Sequence, residues 1–339
     1  MAKKLKAFSI LIIFALILLM MACGMLPGVQ ETAGPEIDIV ARELPQLMIA
    51  LPQEINDFYS EGYGYFLDEI EDYSYEHRFT YDVIRFSSQD ELISLLAPES
   101  AEKYEWIYIH PDEGASQGLK DALDALPQEK VTVLFGSGIE GYTPDHRVFI
   151  DYFEMGVKTG ERMTADFSGR ISRGKLAAAF FRVNEPWYDE YLRGIKSVAG
   201  QRFDLIEMEA GDPKAAMESF LESLPESEMK DVCTIISGSG EQGKGAMEAV
   251  LSFKGSLDLK VCLVAFIGAQ EEYIGDFSYS PIDQITYDIY PTMMIKAARY
   301  LKDVVTGIAQ AEHSIVADLL DKENLELYKQ SDEYLLRFR

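Results

Sequence analysis

From Gln46 onward the chain alternates short apolar runs with longer amphipathic stretches. Runs at Gln46–Leu51, Arg78–Phe86, Glu105–His110, Lys130–Phe135 and Arg147–Tyr152 predict strands, with helices predicted at Tyr59–Tyr73, Gln89–Leu96 and Gly118–Leu126 between them. A second series follows. Its strands are predicted at Lys175–Phe181, Phe203–Glu207, Val232–Ile236, Lys260–Phe266 and Gln284–Tyr287. Its helices are predicted at Gly156–Phe167, Trp187–Ala199, Pro213–Leu224, Ala246–Val250 and Pro291–Val305. Helix starts carry their usual chemistry: Ser87 or Ser88 before Gln89, and Asp212 as a cap with Pro213 at the first position. Near-continuous apolar strands alternating with amphipathic helices mean parallel sheets covered on both faces, an α/β fold. Ligands of such sheets sit beyond the carboxyl ends of the strands.

The first residues break this pattern. Lys3, Lys4 and Lys6 precede an apolar run, Ala7–Ala22, that is short for a bilayer span of about 20 residues. Met20-Met21-Ala22-Cys23 resembles a bacterial lipobox. Residues 1–22 are therefore expected to be a lipoprotein signal peptide, with Cys23 the lipid attachment site and residues 23–44 a tether. The protein is expected outside the cytoplasm, anchored to the bacterial cell envelope.

Charge narrows the partners. Lys and Arg number 31 against 57 Asp and Glu, a formal net charge of -26. Such a field disfavours nucleic acid and anionic headgroups. Outside the signal only Cys233 and Cys262 remain, too few for a disulfide scaffold; both are expected as buried free thiols, with a bridge between adjacent strands as the alternative. Four scattered histidines offer no zinc spacing, so neither a metal nor a cofactor is expected.

The stretch Asp231–Val250 carries the densest motif content. A strand stops at a glycine-broken loop and a helix follows, the geometry that puts a ligand at a helix N-terminus. Gly238, Gly240 and Gly243 spell G-x-G-x-x-G, with Asp258 at the spacing of a ribose-binding acid. Gly238, Gly243 and Lys244 spell most of a P-loop, but Gly245 sits where Ser or Thr must hold magnesium. A third reading is a sugar-receptor-like loop. A dinucleotide fingerprint normally opens its domain, whereas this one comes after many strands. No acidic residue ends the next strand for magnesium. The order of elements thus weighs against both nucleotide readings, and no Ser-His-Asp or Cys-His arrangement marks an enzyme.

The chain resembles the type 1 periplasmic binding proteins, whose fold is shared with the effector domains of LacI-type repressors. The opening ALPQEINDFYSEGYGYFLDEI carries Pro52, Asn56, Phe58 and Tyr59 after the first strand. Ile109-His110-Pro111-Asp112 fits the third-strand exit. VFIDYFEMGVKTGERM is similar to the family crossover, with Asp151 and Gly156 in place, and EYLRGI matches the helix usually ending Gly-Phe. SGEQGKGAMEAV, LVAFIGAQEE and DKENLELY resemble the later family segments, so the likeness spans about 47–328.

The resemblance implies two doubly wound lobes joined by a three-stranded hinge, 45–150 plus 287–310 and 151–286 plus 311–328, with a tail at 329–339. The strands would cross near Asp151, Thr286 and Gln310, and the helix Pro291–Val305 would pack on the first lobe. It further implies a solute receptor of an ABC-type transporter or a sensor, binding a small molecule between the lobes and docking closed to a membrane permease or sensor protein. The implied cleft residues are Asn56, Phe58, Tyr59, Asp112, Trp187, Tyr191, Ser239, Gly240, Ile267 and Tyr287. Departures matter here. Where sugar receptors of the family carry Arg, an Asn-Asp pair, Asp and Gln, this chain has Tyr191, Ser239-Gly240, Ile267 and Tyr287. An aromatic lining favours an aromatic, nucleoside-like or modified-sugar ligand. The alternative is a binding-protein fold turned to protein interaction or signalling, and a more remote one is an enzyme.

Overall fold

The computed structural model describes residues 44–53, 57–111, 116–136, 138–172, 174–208, 211–225, 231–253, 263–267, 282–287, 290–331 and 335, with backbone only at 57–61, 290 and 291. The expected signal peptide, Cys23 and the expected tether up to residue 43 lie outside these residues, as does Cys262. Leu44–Arg339 forms one compact unit.

The first half runs β1 (Gln46–Pro52), α1 (Asp57–His77), β2 (Thr80–Phe86), α2 (Gln89–Leu95), β3 (Trp106–Ile109), α3 (Gln117–Asp124), β4 (Val131–Phe135) and β5 (His146–Ile150). The second runs α4 (Tyr152–Asp166), β6 (Leu176–Phe181), α5 (Pro186–Ala199), β7 (Phe203–Met208), α6 (Pro213–Ser223), β8 (Val232–Ile236), α7 (Gly240–Ser252), β9 (Leu263–Ile267) and β10 (Asp283–Tyr287). The chain closes with α8 (Tyr290–Val305), β11 (Glu312–Ile315) and β12 (Leu319–Asp321).

Two six-stranded sheets result, in the orders β11-β5-β4-β3-β1-β2 and β12-β10-β9-β8-β6-β7. Every pairing is parallel except β10 with β12. Burial on both faces explains the apolar runs. Leu47, Ile49 and Leu51 of β1 join the core that includes Tyr63, Phe66 and Ile70 of α1, while Met48 and Ala50 join Leu92, Leu119 and Leu123 on the other face. In the second sheet Ala178 and Phe180 face one core with Tyr188 and Tyr191, and Ala179 and Phe181 face Met217 and Val250.

The chain passes between sheets three times. β5 ends at Ile150 and Asp151 caps α4, which packs on α5 of the second lobe. After β10, α8 returns to pack on α1. Ile315 ends β11 in the first sheet, and Leu319 begins β12 in the second. This third crossing therefore falls at 316–318, later than the expected Gln310, and 312–315 belongs to the first sheet. The reason is that β11, Glu-His-Ser-Ile, is exposed at its first three residues and has no apolar run to betray a strand. Two other boundaries move for local reasons. Asp151 Oδ1 accepts from Glu154 N at 2.9 Å, starting α4 four residues before Gly156. Ser239 starts α7 six residues before Ala246, its hydroxyl accepting from Gln242 N.

Candidate functional site

The crossings fix where a ligand can sit. The first leaves from the carboxyl end of β5 and the second from that of β10. The third leaves from that of β11 and enters β12 opposite Tyr287, again at the carboxyl end of β10. All three links thus join carboxyl ends, which brings those ends of the two sheets together around the hinge. This is the place where open α/β sheets bind ligands.

On the second lobe, the glycine loop closes on itself. Gly238 N donates to Gln242 Oε1 at 2.9 Å, and Gln242 N donates to Ser239 Oγ at 3.2 Å. These bonds cap Gln242 N and tie Gly238 back onto the first turn of α7. Packing accounts for the glycines. A Cβ on Gly238 would lie 2.7 Å from Val183 Cγ2 and 3.3 Å from the Tyr188 ring. One on Gly243 would lie 3.1 Å from the Phe266 ring, and one on Gly245 2.8 Å from Pro213 Cβ. Each glycine lets α7 approach a strand or helix closely, and Gly240 is buried in its first turn. Asp258 is outside the described residues.

Trp187 is half-buried at the start of α5, its ring 5.1 Å from that of Tyr152, the first residue beyond the crossing. Arg182, immediately after β6, lies 3.5 Å from Asp189 Oδ1 of α5 and donates to Asn184 Oδ1 at 3.4 Å. Arg182 is a polar group at the carboxyl end of β6 that no motif marks. Its position one residue beyond an apolar strand and four before a helix-starting proline was the available signal.

Tyr191, Ile267 and Tyr287 are not on a solvent-facing wall; all three are interior. Thr159 Oγ1 lies 2.9 Å from both tyrosine hydroxyls, and Tyr287 Oη donates to Met155 O at 2.6 Å. The Met155 carbonyl accepts from Tyr287 and, at 3.2 Å, from Thr159 Oγ1, so the single Thr159 proton is shared between that carbonyl and Tyr287, and Tyr191 donates to Thr159. Burial raises both phenols well above their ordinary range. The family-like position that carries Arg is thus filled by a ring whose hydroxyl is consumed within the core. Ile267, the last residue of β9, packs into the same core.

On the first lobe, His110 directly follows β3. Its Nδ1 is 2.6 Å from Tyr63 Oη, and its ring meets Phe135 edge-on at 4.9 Å. Burial pushes its pKa down to about 4, so the ring is neutral at pH 7. After β4, Gly136 and Gly138 have φ of 95° and 89°, and Arg147 Nε donates to Gly136 O at 3.2 Å. Asn56 and Asp112 fall outside the described residues, as do the side chains of Phe58 and Tyr59.

No protein-family model matches the chain, and no curated protein matches it by sequence. Solved structures do match. A periplasmic ribose ABC transporter protein from Conexibacter woesei DSM 14684 superposes with a TM-score of 0.65 at 14% identity, covering 87% of this chain and 97% of that one. A sugar ABC transporter sugar-binding protein from Bacillus halodurans gives 0.60 at 16% identity, covering 84% and 99%. A XylFII–LytSN complex gives 0.56 at 12% identity, covering 84% and 99%. With its two parallel-dominated sheets and three crossings at the carboxyl ends, the chain has the two-lobed fold of the type 1 periplasmic binding proteins.

Proposed function

We propose that this protein is a lipid-anchored extracytoplasmic solute receptor that holds a small ligand between its lobes and presents the closed form to a membrane permease or sensor protein. The observation that carries the reading is the joining of all carboxyl ends at one hinge, which supports a ligand site between two bodies able to close. Structural neighbours supply the class of partner: two are ABC transporter proteins for sugars, and a third was solved in complex with LytSN. Anchoring rests on the sequence Met20–Cys23. No helix among the described residues is long and apolar enough to cross a membrane.

The ligand is proposed to be aromatic, nucleoside-like or a modified sugar. Ser239 spends its hydroxyl on the α7 cap, Gly240 has no side chain, and Ile267 is apolar and buried. None of the three offers the charged or amide acceptors that a free monosaccharide needs for each buried hydroxyl. Trp187 and its Tyr152 neighbour support a flat face in their place, with Arg182 as a polar complement. A thermal-shift screen of the protein against sugars, nucleosides and aromatic metabolites tests this. Stabilisation by a nucleoside-like or aromatic solute is expected. Stabilisation by free pentoses or hexoses alone would overturn the ligand class while leaving the receptor role standing.

A further inference from the structure

Strand β2 is one outer edge of the first sheet, and among the described residues nothing pairs with its free side. Tyr81, Val83 and Arg85 are in register with Leu47, Ile49 and Leu51, so they lie on the α1 side of the sheet. Val83 is 38% exposed there. Near Tyr81 stand Tyr75 of α1, 77% exposed, and the carboxylates of Asp68 and Glu71, which together with burial raise the Tyr81 phenol. On the opposite face Asp82 is already engaged by Lys103 at 2.6 Å and Tyr104 at 2.7 Å. The edge therefore presents one exposed apolar residue, Val83, between half-buried Tyr81 with its acidic neighbours and Arg85, whose guanidinium gives one N–H to Pro52 O at 3.2 Å and keeps its other donors for a partner. An unpaired edge of this kind is a template for a further strand.

We propose that β2 pairs antiparallel with β2 of a second copy of this chain, about a two-fold axis through Val83. Register selects that axis. With Val83 opposite its own copy, Tyr81 faces Arg85 of the second copy, and that guanidinium reaches the side flanked by Asp68 and Glu71. The same contact repeats on the other side of the axis, as an isologous interface requires. Both are cation–π pairs with carboxylate support. Centring the axis on Asp82 sets two carboxylates against each other. Centring it on Ile84 sets Val83 against Arg85 and leaves Tyr81 without the cation. The sheet that results is continuous across the two copies, with the α1 helices on one face. The partner is thus a second copy of this chain, and the inference does not depend on what the cleft binds.

The test uses the full-length chain in nonionic detergent, with micelles in large excess over protein. Because Val83 lies on the axis, Val83→Cys is expected to form a disulfide-linked dimer under mild oxidation, above the background of the parent chain. Leu251→Cys, exposed on the other lobe, is expected to stay at background. By sedimentation equilibrium, Arg85→Glu should raise the dissociation constant about tenfold or more, and adding Glu71→Arg in the same chain should recover much of the loss. The proposal is overturned if Val83→Cys links no better than Leu251→Cys. It is equally overturned if the parent chain remains monomeric to about 100 µM by sedimentation equilibrium.

Discussion

Gly156 and Gly194 set two helices backbone against backbone. A Cβ on Gly156 would stand 2.0 Å from the carbonyl oxygen of Tyr191, and one on Gly194 2.1 Å from that of Phe153. Neither obstacle is a flexible side chain that could turn away. The pair thus fixes the distance between α4 and α5, and with it the position of Thr159 beneath Tyr191.

Either glycine changed to alanine is accordingly expected to cost about 3 kcal/mol or more, the upper range of overpacking, because whole helices must separate. Urea denaturation measures it. Gly64→Ala is the control: nothing lies within 4 Å of its added methyl, so it should stabilise α1 by about 0.5–1 kcal/mol. Equal effects at Gly64 and Gly156 would show that the close contact carries no weight.

The hydroxyl chain from Tyr191 to Met155 orders the costs of breaking it. Thr159→Val strands the buried Tyr191 hydroxyl, which should cost about 1–3 kcal/mol. Tyr191→Phe removes only the first donor and should cost about 1 kcal/mol, within the usual net value of one bond. The same measurements read the pH dependence. Both phenols are raised in the folded state, so their contribution is full below the unfolded value of about 10 and is lost as pH rises beyond it. The double variant Tyr191→Phe with Tyr287→Phe should flatten that alkaline loss. An unchanged alkaline limb would place the sensitive group elsewhere.

At the other end of the scale is His110. Its folded value of about 4 lies below the unfolded value of about 6.5. Its contribution is therefore full above about pH 6.5 and declines as pH falls toward the folded value. Proton NMR of the imidazole should show the ring still neutral at pH 5, and His110→Gln should blunt the acid sensitivity of unfolding. A ring titrating near 6.5 would mean that Tyr63 and Phe135 do not enclose it.

Much of this fold was legible because both sheets are buried on both faces, so β1, β3, β6 and β8 announce themselves as apolar runs. What stayed hidden was polar. β11 reads Glu-His-Ser-Ile and is recognisable only through its pairing with β5. In the site, the loop Ser237–Gly240 was located correctly as a strand-to-helix turn, but three glycine motifs compete there and only contacts tell a phosphate cradle from close packing. Tyr191 and Tyr287 show the limit of spacing. A helix or strand position next to a cleft points inward or outward by a rotation that composition does not encode, and Thr159, the buried hydroxyl that both phenols meet, carries no motif of its own. Arg182 was hidden for the opposite reason, a lone charge beside a strand end.

The last expectation uses the two tryptophans, both half-buried but differently placed relative to the hinge. Trp106 begins β3 at the amino end of the first sheet and meets Phe79 edge-on at 6.3 Å, so it lies at the opposite end of that sheet from the hinge. Trp187 is half-buried beside Tyr152 at the hinge. In a Trp106→Phe variant, emission reports Trp187 alone. A flat ligand stacking there should quench or shift it saturably, since aromatic pairs are worth about 0.5–1.5 kcal/mol beyond area and need ring-to-ring approach. Free ribose, galactose or glucose should leave it unchanged. Each hydrogen bond to a charged group that Ser239, Gly240 and Ile267 do not supply forgoes about 1.5–3 kcal/mol, so three such losses leave little affinity. Saturable, sub-micromolar quenching by a free monosaccharide would show that other side chains of the cleft restore those bonds, and would return the ligand to the sugars of the structural neighbours.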